Sequence, residues 1–249
     1  MGALAPKWLG LKNYIDVLTD SQFWSDTGHT LYLAFGSVAI ELVLGTGIAI
    51  VLNRPFAGKN FIKTLFLLPM VATPIAVGMV WQLIYEPTLG VANYLLKFLG
   101  IEPVMWLIDT NMVMKSMIII EVWEWTPMVM LIVLAGLAGM PQDVFEAAKV
   151  DGANRFQIFR RVTLPLLAPT LIVTALMRII DALKTFDIIY ATTQGGPLKA
   201  SETVNLLAYK SIFSYFKMGR GAALIICFLA EIGLCCALVM ILRRNAKRR

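Results

Sequence analysis

The sequence alternates between long apolar runs and short polar stretches. Five of the apolar runs are long enough to cross a bilayer, which takes roughly 20 residues in a helix. They lie near residues 31–52, 64–84, 113–138, 166–189 and 221–242. Because no segment alternates as the strands of a membrane barrel do, the pattern predicts an all-α membrane protein, a polytopic helical bundle of about five spans in a single domain over 1–249.

Prolines interrupt two of these runs. Pro69 and Pro74 lie in the second run, and Pro127 lies in the third. Proline lacks a backbone donor and bends a helix, so neighbouring helices or a cavity must satisfy the freed carbonyls. Such bends suit a gated pathway, and they serve plain helix packing at least as often.

A polar island, residues 139–165, separates the third and fourth runs. Its first helix is predicted to end at Asp151-Gly152, because glycine tolerates the left-handed conformation of a helix C-terminus. Asn154 is suited to cap a second helix, with Gln157 three residues further on. The island therefore predicts a helix-turn-helix hung outside the membrane bundle.

Charge predicts the orientation of the bundle. The basic residues cluster in three segments that lie on one side if each run spans once. These segments are 53–63, 139–165 and the tail 243–249. The segments on the other side hold fewer basic residues for their length, and they are 1–29, 85–112 and 190–219. The positive-inside rule places the first set in the cytoplasm and makes 1–29 and 190–219 external.

Composition excludes several functions. The chain is 58% hydrophobic and 15% charged, with a net charge of +6 that reflects membrane topology and not nucleic-acid binding. Its three cysteines all lie in the last run, and His29 is its only histidine, so a histidine-based metal site or nucleophile is not expected. The sequence has no glycine-rich phosphate-binding loop, so any ATP hydrolysis requires a partner.

Ionisable residues inside the runs are candidate functional residues, because a charge in a bilayer is costly and usually faces the bundle interior. They are Glu41, Glu121, Glu124, Arg178, Asp181, Lys184 and Glu231. Arg178, Asp181 and Lys184 recur every three residues, so they share a helix face on which opposite charges can neutralise one another. Neutralisation by Asp181 is slightly favoured over solute binding.

Acids beside indoles suit a solute rich in hydroxyl groups, because carboxylates accept hydrogen bonds and indole faces stack on sugar rings. Glu121 and Glu124 share a face beside Trp123 and Trp125. The same residues also suit plain contacts between the third and fourth runs. The possible pathway lining is Glu121, Trp123, Glu124, Trp125, Arg178, Asp181 and Lys184.

The polar island resembles the EAA loop of permease subunits of binding-protein-dependent ABC importers. The family pattern is Glu-Ala-Ala, three residues, Gly, nine residues, Ile, one residue and Leu-Pro, and here Val162 replaces the Ile. The resemblance implies that the loop docks into a cleft of a cytoplasmic ATPase subunit and transmits its motion. The implied coupling residues are Glu146, Ala147, Ala148, Asp151, Gly152, Leu164 and Pro165.

A second resemblance covers nearly the whole chain. Thr192 to Pro197, followed by Ser201-Glu202-Thr203, is similar to the Gly-Gly-Pro and Glu-Thr loop of carbohydrate permeases of the maltose-transporter type. The segment from Trp8 to Tyr14 resembles the one that follows the first span of such permeases, which predicts that the family's first span is missing here. The resemblance implies a multi-pass subunit of a prokaryotic cell membrane, surrounded by lipid.

The implied partners are a second homologous permease, two ATPase subunits and an external solute-binding protein. ATP and magnesium would be bound by the ATPases, and no cofactor by this chain. The predicted function is therefore a non-enzymatic permease subunit of an ATP-driven importer of sugars or related polyols. Alternatives are a permease for another solute such as glycerol phosphate, a secondary transporter that uses carboxylates such as Glu124 and Asp181 as proton relays, and an intramembrane enzyme, for which a nucleophile or metal cluster is lacking.

Overall fold

The computed structural model describes residues 8–246, and within that range the chain forms helices joined by turns, with no strand. The all-α prediction is confirmed. The helices are α1 Lys12–Leu18, α2 Ser21–Leu52, α3 Lys59–Val71, α4 Pro74–Ile84, α5 Val91–Phe98, α6 Val113–Ala138, α7 Gln142–Val150, α8 Arg155–Ile158, α9 Leu164–Leu183, α10 Asp187–Thr192, α11 Val204–Tyr209 and α12 Met218–Ala246. Two π-helical turns, Phe159–Thr163 and Lys210–Ser214, follow α8 and α11 directly.

Four described segments are long and apolar enough to cross a membrane: Ser21–Leu52, Val113–Ala138, Arg155–Thr192 and Met218–Ala237. The second predicted run, 64–84, is not a straight span. It forms α3 and α4, which meet at an angle of 97°. Pro74 opens α4 and holds Thr73 in an extended conformation, so the helix cannot continue through this point. The proline bend was predicted, but the break is sharper than a bent span.

The first span begins earlier than its apolar run. α2 starts at Ser21, and the side chain of Asp20 caps it by accepting a hydrogen bond from the Gln22 amide at 2.9 Å. The predicted external segment 1–29 therefore contains α1 and the first turns of α2. The sequence pattern missed these turns because Asp26 and Thr30 are polar, although both are buried in the bundle.

α2 and α6 form the centre of the bundle. Gly45 of α2 lies so close to α6 that a β-carbon placed on it would be 2.7 Å from a Val129 methyl group. α9 packs against both helices, and Leu167 shares an apolar cluster with Val129 and Met130. A second cluster joins α2, α9, α11 and α12. The core is thus a set of long helices that cross at close range.

Successive spans run in opposite directions. The C-terminal ends of α2, α6 and α12 therefore lie at the same end of the bundle as the start of the fourth span, and this end is called the island end. This end carries the basic segments 53–63 and 139–165, as the charge pattern predicts. At the opposite end, Arg220 at the start of α12 pairs with Asp20 before α2. The backbone of the predicted tail 243–249 belongs to α12 as far as Ala246, and residues 247–249 lie outside the described part of the chain.

Candidate coupling loop and transport pathway

The turn after α7 has the conformation predicted from its glycine. Gly152 has a φ of +75°, in the left-handed region. Its amide donates to the Lys149 carbonyl at 3.0 Å, and the Ala153 amide donates to the Ala148 carbonyl at 3.0 Å. This pair of bonds is the Schellman arrangement, which satisfies the last carbonyls of a helix. The turn at Gly152 therefore fixes where α7 ends.

The predicted cap of the second helix is also present. The Asn154 side chain accepts from the Gln157 amide at 2.9 Å, and the Gln157 side chain accepts from the Asn154 amide at 2.8 Å. This second helix is not a separate element, and its position outside the membrane stays a prediction. α8 continues through the π-helical turn Phe159–Thr163 into α9, so it is the beginning of the fourth span. Pro165 has no amide to donate, and the regular helical ladder is already replaced by the wider π turn just before it.

The predicted coupling residues fall into two groups. Glu146, Ala147, Asp151 and Gly152 are exposed on α7 and its turn, and Ala148 is half-buried. Leu164 and Pro165 are exposed at the start of α9, beyond the π turn. Phe145 is turned to the other side, where it packs on the cluster between α2 and α6. α7 thus presents one face outward while it is anchored by the opposite one. The coupling role itself remains a prediction.

A buried ion network joins three of the spans. Arg178 of α9 donates through Nε to Glu41 of α2 at 2.8 Å and through Nη2 to Glu121 of α6 at 3.1 Å. Arg178 and Glu41 are fully buried, and Glu121 is 2% exposed. A second bond from Nη2 reaches the other Glu41 oxygen at 3.2 Å. The arginine is therefore neutralised by two other helices.

The predicted neutralisation of Arg178 by Asp181 is wrong. Asp181 pairs with Lys184 at 3.2 Å, and the side chains of this pair are 42% and 55% exposed. Each step of three residues rotates the side-chain direction by about 60°, so the spacing carries Lys184 out of the core that Arg178 occupies. The sequence showed Glu41 as a lone acid in a span, which signals that a buried partner exists, but it does not identify that partner.

Most of the predicted pathway residues surround one small cavity, near the end of α9 that is remote from the island. The cavity has a volume of about 120 Å³. Its lining includes Glu121, Trp125, Arg178, Asp181 and Lys184. The guanidinium carbon of Arg178 lies 4.7 Å from the centre of the Trp125 ring. The structure thus brings acids, bases and an indole together, and solute binding there stays a prediction.

Trp123 and Glu124 do not belong to this cavity lining. Trp123 is 45% exposed on another face of α6, where it lines an apolar groove and contacts Trp81 with ring centres 5.6 Å apart. Trp123 lies two positions after Glu121, and a step of two residues turns the side chain by about 200° around the helix. Glu124 is 1% exposed, and its Oε2 has no hydrogen-bond partner among the described residues.

The predicted external loop 190–219 is about half helical and partly buried. It contains the end of α10, all of α11 and the second π turn. Ser201, Glu202 and Thr203 are at most 2% exposed. Their polarity indicated a solvent-exposed loop, but the sequence did not show where their hydrogen-bond partners lie.

Glu202 is held by a basic residue and by α2. Its carboxylate accepts from Lys210 at 2.6 Å, and its backbone carbonyl lies 3.0 Å from a ring nitrogen of His29. Two residues further, the Val204 amide donates to the Thr30 hydroxyl at 3.2 Å. The Glu-Thr part of the motif is therefore an internal anchor that fixes this end of the molecule to the start of α2.

Comparison with known proteins supplies the family. The chain is 44% identical over 217 residues to the probable ABC transporter permease protein y4oQ of Sinorhizobium fredii. This alignment covers 87% of this chain and 70% of that protein. It is 41% identical over 212 residues to the trehalose/maltose transport system permease protein MalF of Thermococcus litoralis. This alignment covers 85% of this chain and 70% of that protein. A chain of the bacterial alginate ABC transporter, solved in complex with alginate pentasaccharide-bound periplasmic protein, matches with a TM-score of 0.85 at 20% identity over 96% of this chain and 84% of that one.

The likeness to the solved transporter concerns the fold, and it confirms the predicted bundle of an ABC importer permease. The family model described as "Binding-protein-dependent transport system inner membrane component" matches residues 41–249. This range contains the last third of α2, the whole polar island and the cavity-lining residues. The chain therefore belongs to the family of inner membrane components of binding-protein-dependent transport systems.

Proposed function

We propose that this chain is the transmembrane subunit of an ATP-driven importer of sugars or related polyols, in which it forms half of the translocation pathway. The observation that carries the proposal is the α7 turn: a helix with one face exposed, ended by the Gly152 Schellman bonds, at the end of a membrane bundle. Such a helix gives an ATPase subunit a rigid contact surface that is connected to the membrane spans. The solute class is supported by the trehalose/maltose permease of Thermococcus litoralis, to which 41% of the aligned residues are identical.

The island end is proposed to face the cytoplasm. Arg54, Lys149 and Arg155 lie together at this end, in agreement with the positive-inside rule. ATP and magnesium are bound by two partner ATPase subunits, and this chain binds no cofactor. A second homologous permease completes the pathway, and an external solute-binding protein delivers the solute to the opposite end. The anchored segment around Glu202 gives that protein a rigid surface.

The cavity beside Arg178 is proposed to line the solute pathway. Asp181 and Lys184 pair with each other at its rim, while Trp125 supplies an apolar ring face. Three acids, Glu121, Asp181 and Asp187, surround the cavity, and Arg178 is already bound to two carboxylates. This balance suits neutral hydroxyl groups better than a phosphate, so a glycerol phosphate permease is not favoured.

Uptake by the whole complex tests the proposal. The chain is co-expressed with its partner permease and ATPases, reconstituted in proteoliposomes and supplied with the solute-binding protein and labelled trehalose or maltose. We expect uptake that requires both ATP and the binding protein. Uptake driven by an imposed pH gradient in the absence of ATP would contradict the proposal and favour a secondary transporter that uses Glu124 and Asp181.

Gly152→Val is expected to uncouple ATP hydrolysis from uptake. A β-branched residue in the left-handed region costs about 1–3 kcal/mol, so the turn should change conformation and displace α7. No atom lies within 4 Å of the added β-carbon, so the effect should come from the backbone and not from a clash. Solute molecules taken up per ATP hydrolysed should fall severalfold.

Gly100→Val is the matched control for this variant. Gly100 has a φ of +74°, open space around its β-carbon position and the same pair of bonds at the end of α5. The backbone penalty is therefore the same at a place remote from the island. Equal losses of coupling in the two variants would mean that the turn after α7 has no special role.

Asp181→Ala is expected to weaken solute transport without loss of assembly. A hydrogen bond to a charged group contributes about 1.5–3 kcal/mol, so the apparent KM for uptake should rise by tenfold or more. Glu102→Gln, at an exposed acid before α6, is the control and should leave the KM unchanged. An unchanged KM in Asp181→Ala at normal complex yield would remove Asp181 from the pathway.

A further inference from the structure

A wide groove opens at the island end between the ends of α2 and α6 and the start of α8. Its volume is about 770 Å³. Three basic residues from three elements belong to its lining: Arg54 after α2, Lys149 of α7 and Arg155 of α8. All three are exposed at the rim. The groove is thus a single concave surface shared by parts of the chain that are far apart in sequence.

The charge of this groove is of one sign. None of its lining residues is acidic. Within the described part of the chain, none of the three bases forms a salt bridge, whereas Arg178, Lys184, Lys210 and Arg220 each do. Two arginines and a lysine around one opening are suited to a phosphate group, since guanidinium and ammonium donors bind phosphate oxygens with charge-assisted hydrogen bonds.

The walls of the groove are apolar. Phe145 of α7 and Phe156 and Phe159 of the next helix supply aromatic surface, and Leu137 closes the side of α6. An inorganic anion or a soluble phosphate would leave these walls in contact with water. A ligand that has an anionic head and a hydrocarbon chain satisfies both the rim and the walls.

The groove face of α7 differs from its exposed face. Phe145 and Lys149 are four residues apart and point to the groove, whereas Ala147 and Val150 point about 100° or more away from that direction. Val150 is 87% exposed. A ligand in the groove therefore supports α7 from behind and leaves the proposed coupling face free.

We propose that this groove binds an anionic phospholipid of the leaflet at the island end. The groove lies where two spans end and a third begins, which is the depth of the lipid headgroups. Arg54, Lys149 and Arg155 hold the phosphate, and the acyl chain lies along the phenylalanines. Bound lipid braces α7 against α2, and this role does not depend on which solute the transporter carries.

The test measures lipid retained by the whole complex. The wild-type complex and the triple variant Arg54→Gln/Lys149→Gln/Arg155→Gln are purified in mild detergent, and phosphatidylglycerol and phosphatidylethanolamine per complex are counted by mass spectrometry. Each of the three bases is expected to contribute a similar share of the attraction to the anionic lipid, about twofold each. The triple variant should therefore retain about tenfold less phosphatidylglycerol. Lys59→Gln/Arg160→Gln/Arg161→Gln removes the same charge from the same end outside the groove lining, and it should retain the wild-type amount.

Several outcomes would overturn the proposal. Equal phosphatidylglycerol loss in the two triple variants would mean a diffuse basic surface and no site. Unchanged lipid together with loss of the ATPase subunits in the groove variant would mean that the groove is an ATPase contact. If the groove variant does not assemble, Lys149→Gln alone, on an exposed helix, decides the matter: it should retain about twofold less phosphatidylglycerol, and an unchanged amount contradicts the proposal.

Discussion

Arg178→Ala is expected to abolish most of the assembled complex. The side chain is fully buried between three spans and binds Glu41 and Glu121. Removing it leaves two carboxylates facing each other with no cation in the membrane interior. Breaking a buried ion pair costs about 3–5 kcal/mol, which is comparable to a large part of the stability of a domain.

The yield of complex from the membrane and its melting temperature in detergent measure this effect. Asp181→Ala, in the same helix one turn away, is the control, because its pair with Lys184 is about half exposed and exposed pairs contribute about 1 kcal/mol or less. Arg178→Ala complexes of normal yield and melting temperature would show that the network does not hold the spans together.

Neutralising the whole network should restore part of the assembly. In Glu41→Gln/Glu121→Gln/Arg178→Met, no unpaired charge remains in the core, and replacing a buried ion network by neutral groups is often close to neutral in free energy. Recovery of yield without recovery of transport would then separate the structural role of Arg178 from any contribution to the pathway. No recovery at all would mean that shape, and not charge, decides the packing here.

Gly45→Val is expected to be nearly as damaging, through packing and not charge. A β-carbon at this position would lie 2.7 Å from the Val129 Cγ1 atom and 3.0 Å from the Met130 amide nitrogen. The backbone atom cannot move aside alone, so α2 and α6 must separate along their contact. Overpacking of this kind costs about 3 kcal/mol at the upper end of the usual range. Small residues at such crossings are typical of membrane helices.

Gly47→Val is the control for this prediction, since no atom lies within 4 Å of its β-carbon position. Valine is a slightly better helix former than glycine, so this variant should keep or gain stability. The melting temperature of the purified complex should therefore fall for Gly45→Val and stay the same or rise for Gly47→Val. A similar melting temperature for both variants would mean that the α2–α6 contact is looser than the structure indicates.

The features that the sequence predicted correctly depend on neighbours in the chain. The Gly152 turn and the Asn154 cap are made by groups at most five residues apart, so local chemistry determines them. The apolar runs predicted the spans for the same reason, because a helix in lipid must satisfy its own backbone. The coupling role of the segment from Glu146 to Pro165 comes from the family resemblance alone and stays a prediction.

The features that it missed depend on residues that are far apart. Arg178 and Glu41 are 137 positions apart in the sequence, and the residues around each of them do not indicate that the two form an ion pair. The sequence predicts an external loop at Glu202, whereas its contacts with Lys210 and His29 bury it. The sequence grouped Trp123 with Glu121, whereas the structure places it on another face of α6, because each residue turns the side chain by about 100° and the neighbouring helices decide which direction is the interior.

The uninterrupted helix from Arg155 to Leu183 has a mechanical consequence. A helix of that length is a rod of about 40 Å, with the turn after α7 at one tip and the cavity near the other. Close to the cavity, Arg178 of this helix forms ion pairs with two neighbouring helices. If the island end is displaced, this geometry predicts that the helix turns about the buried arginine, and the π-helical turn before Pro165 lies between those two points.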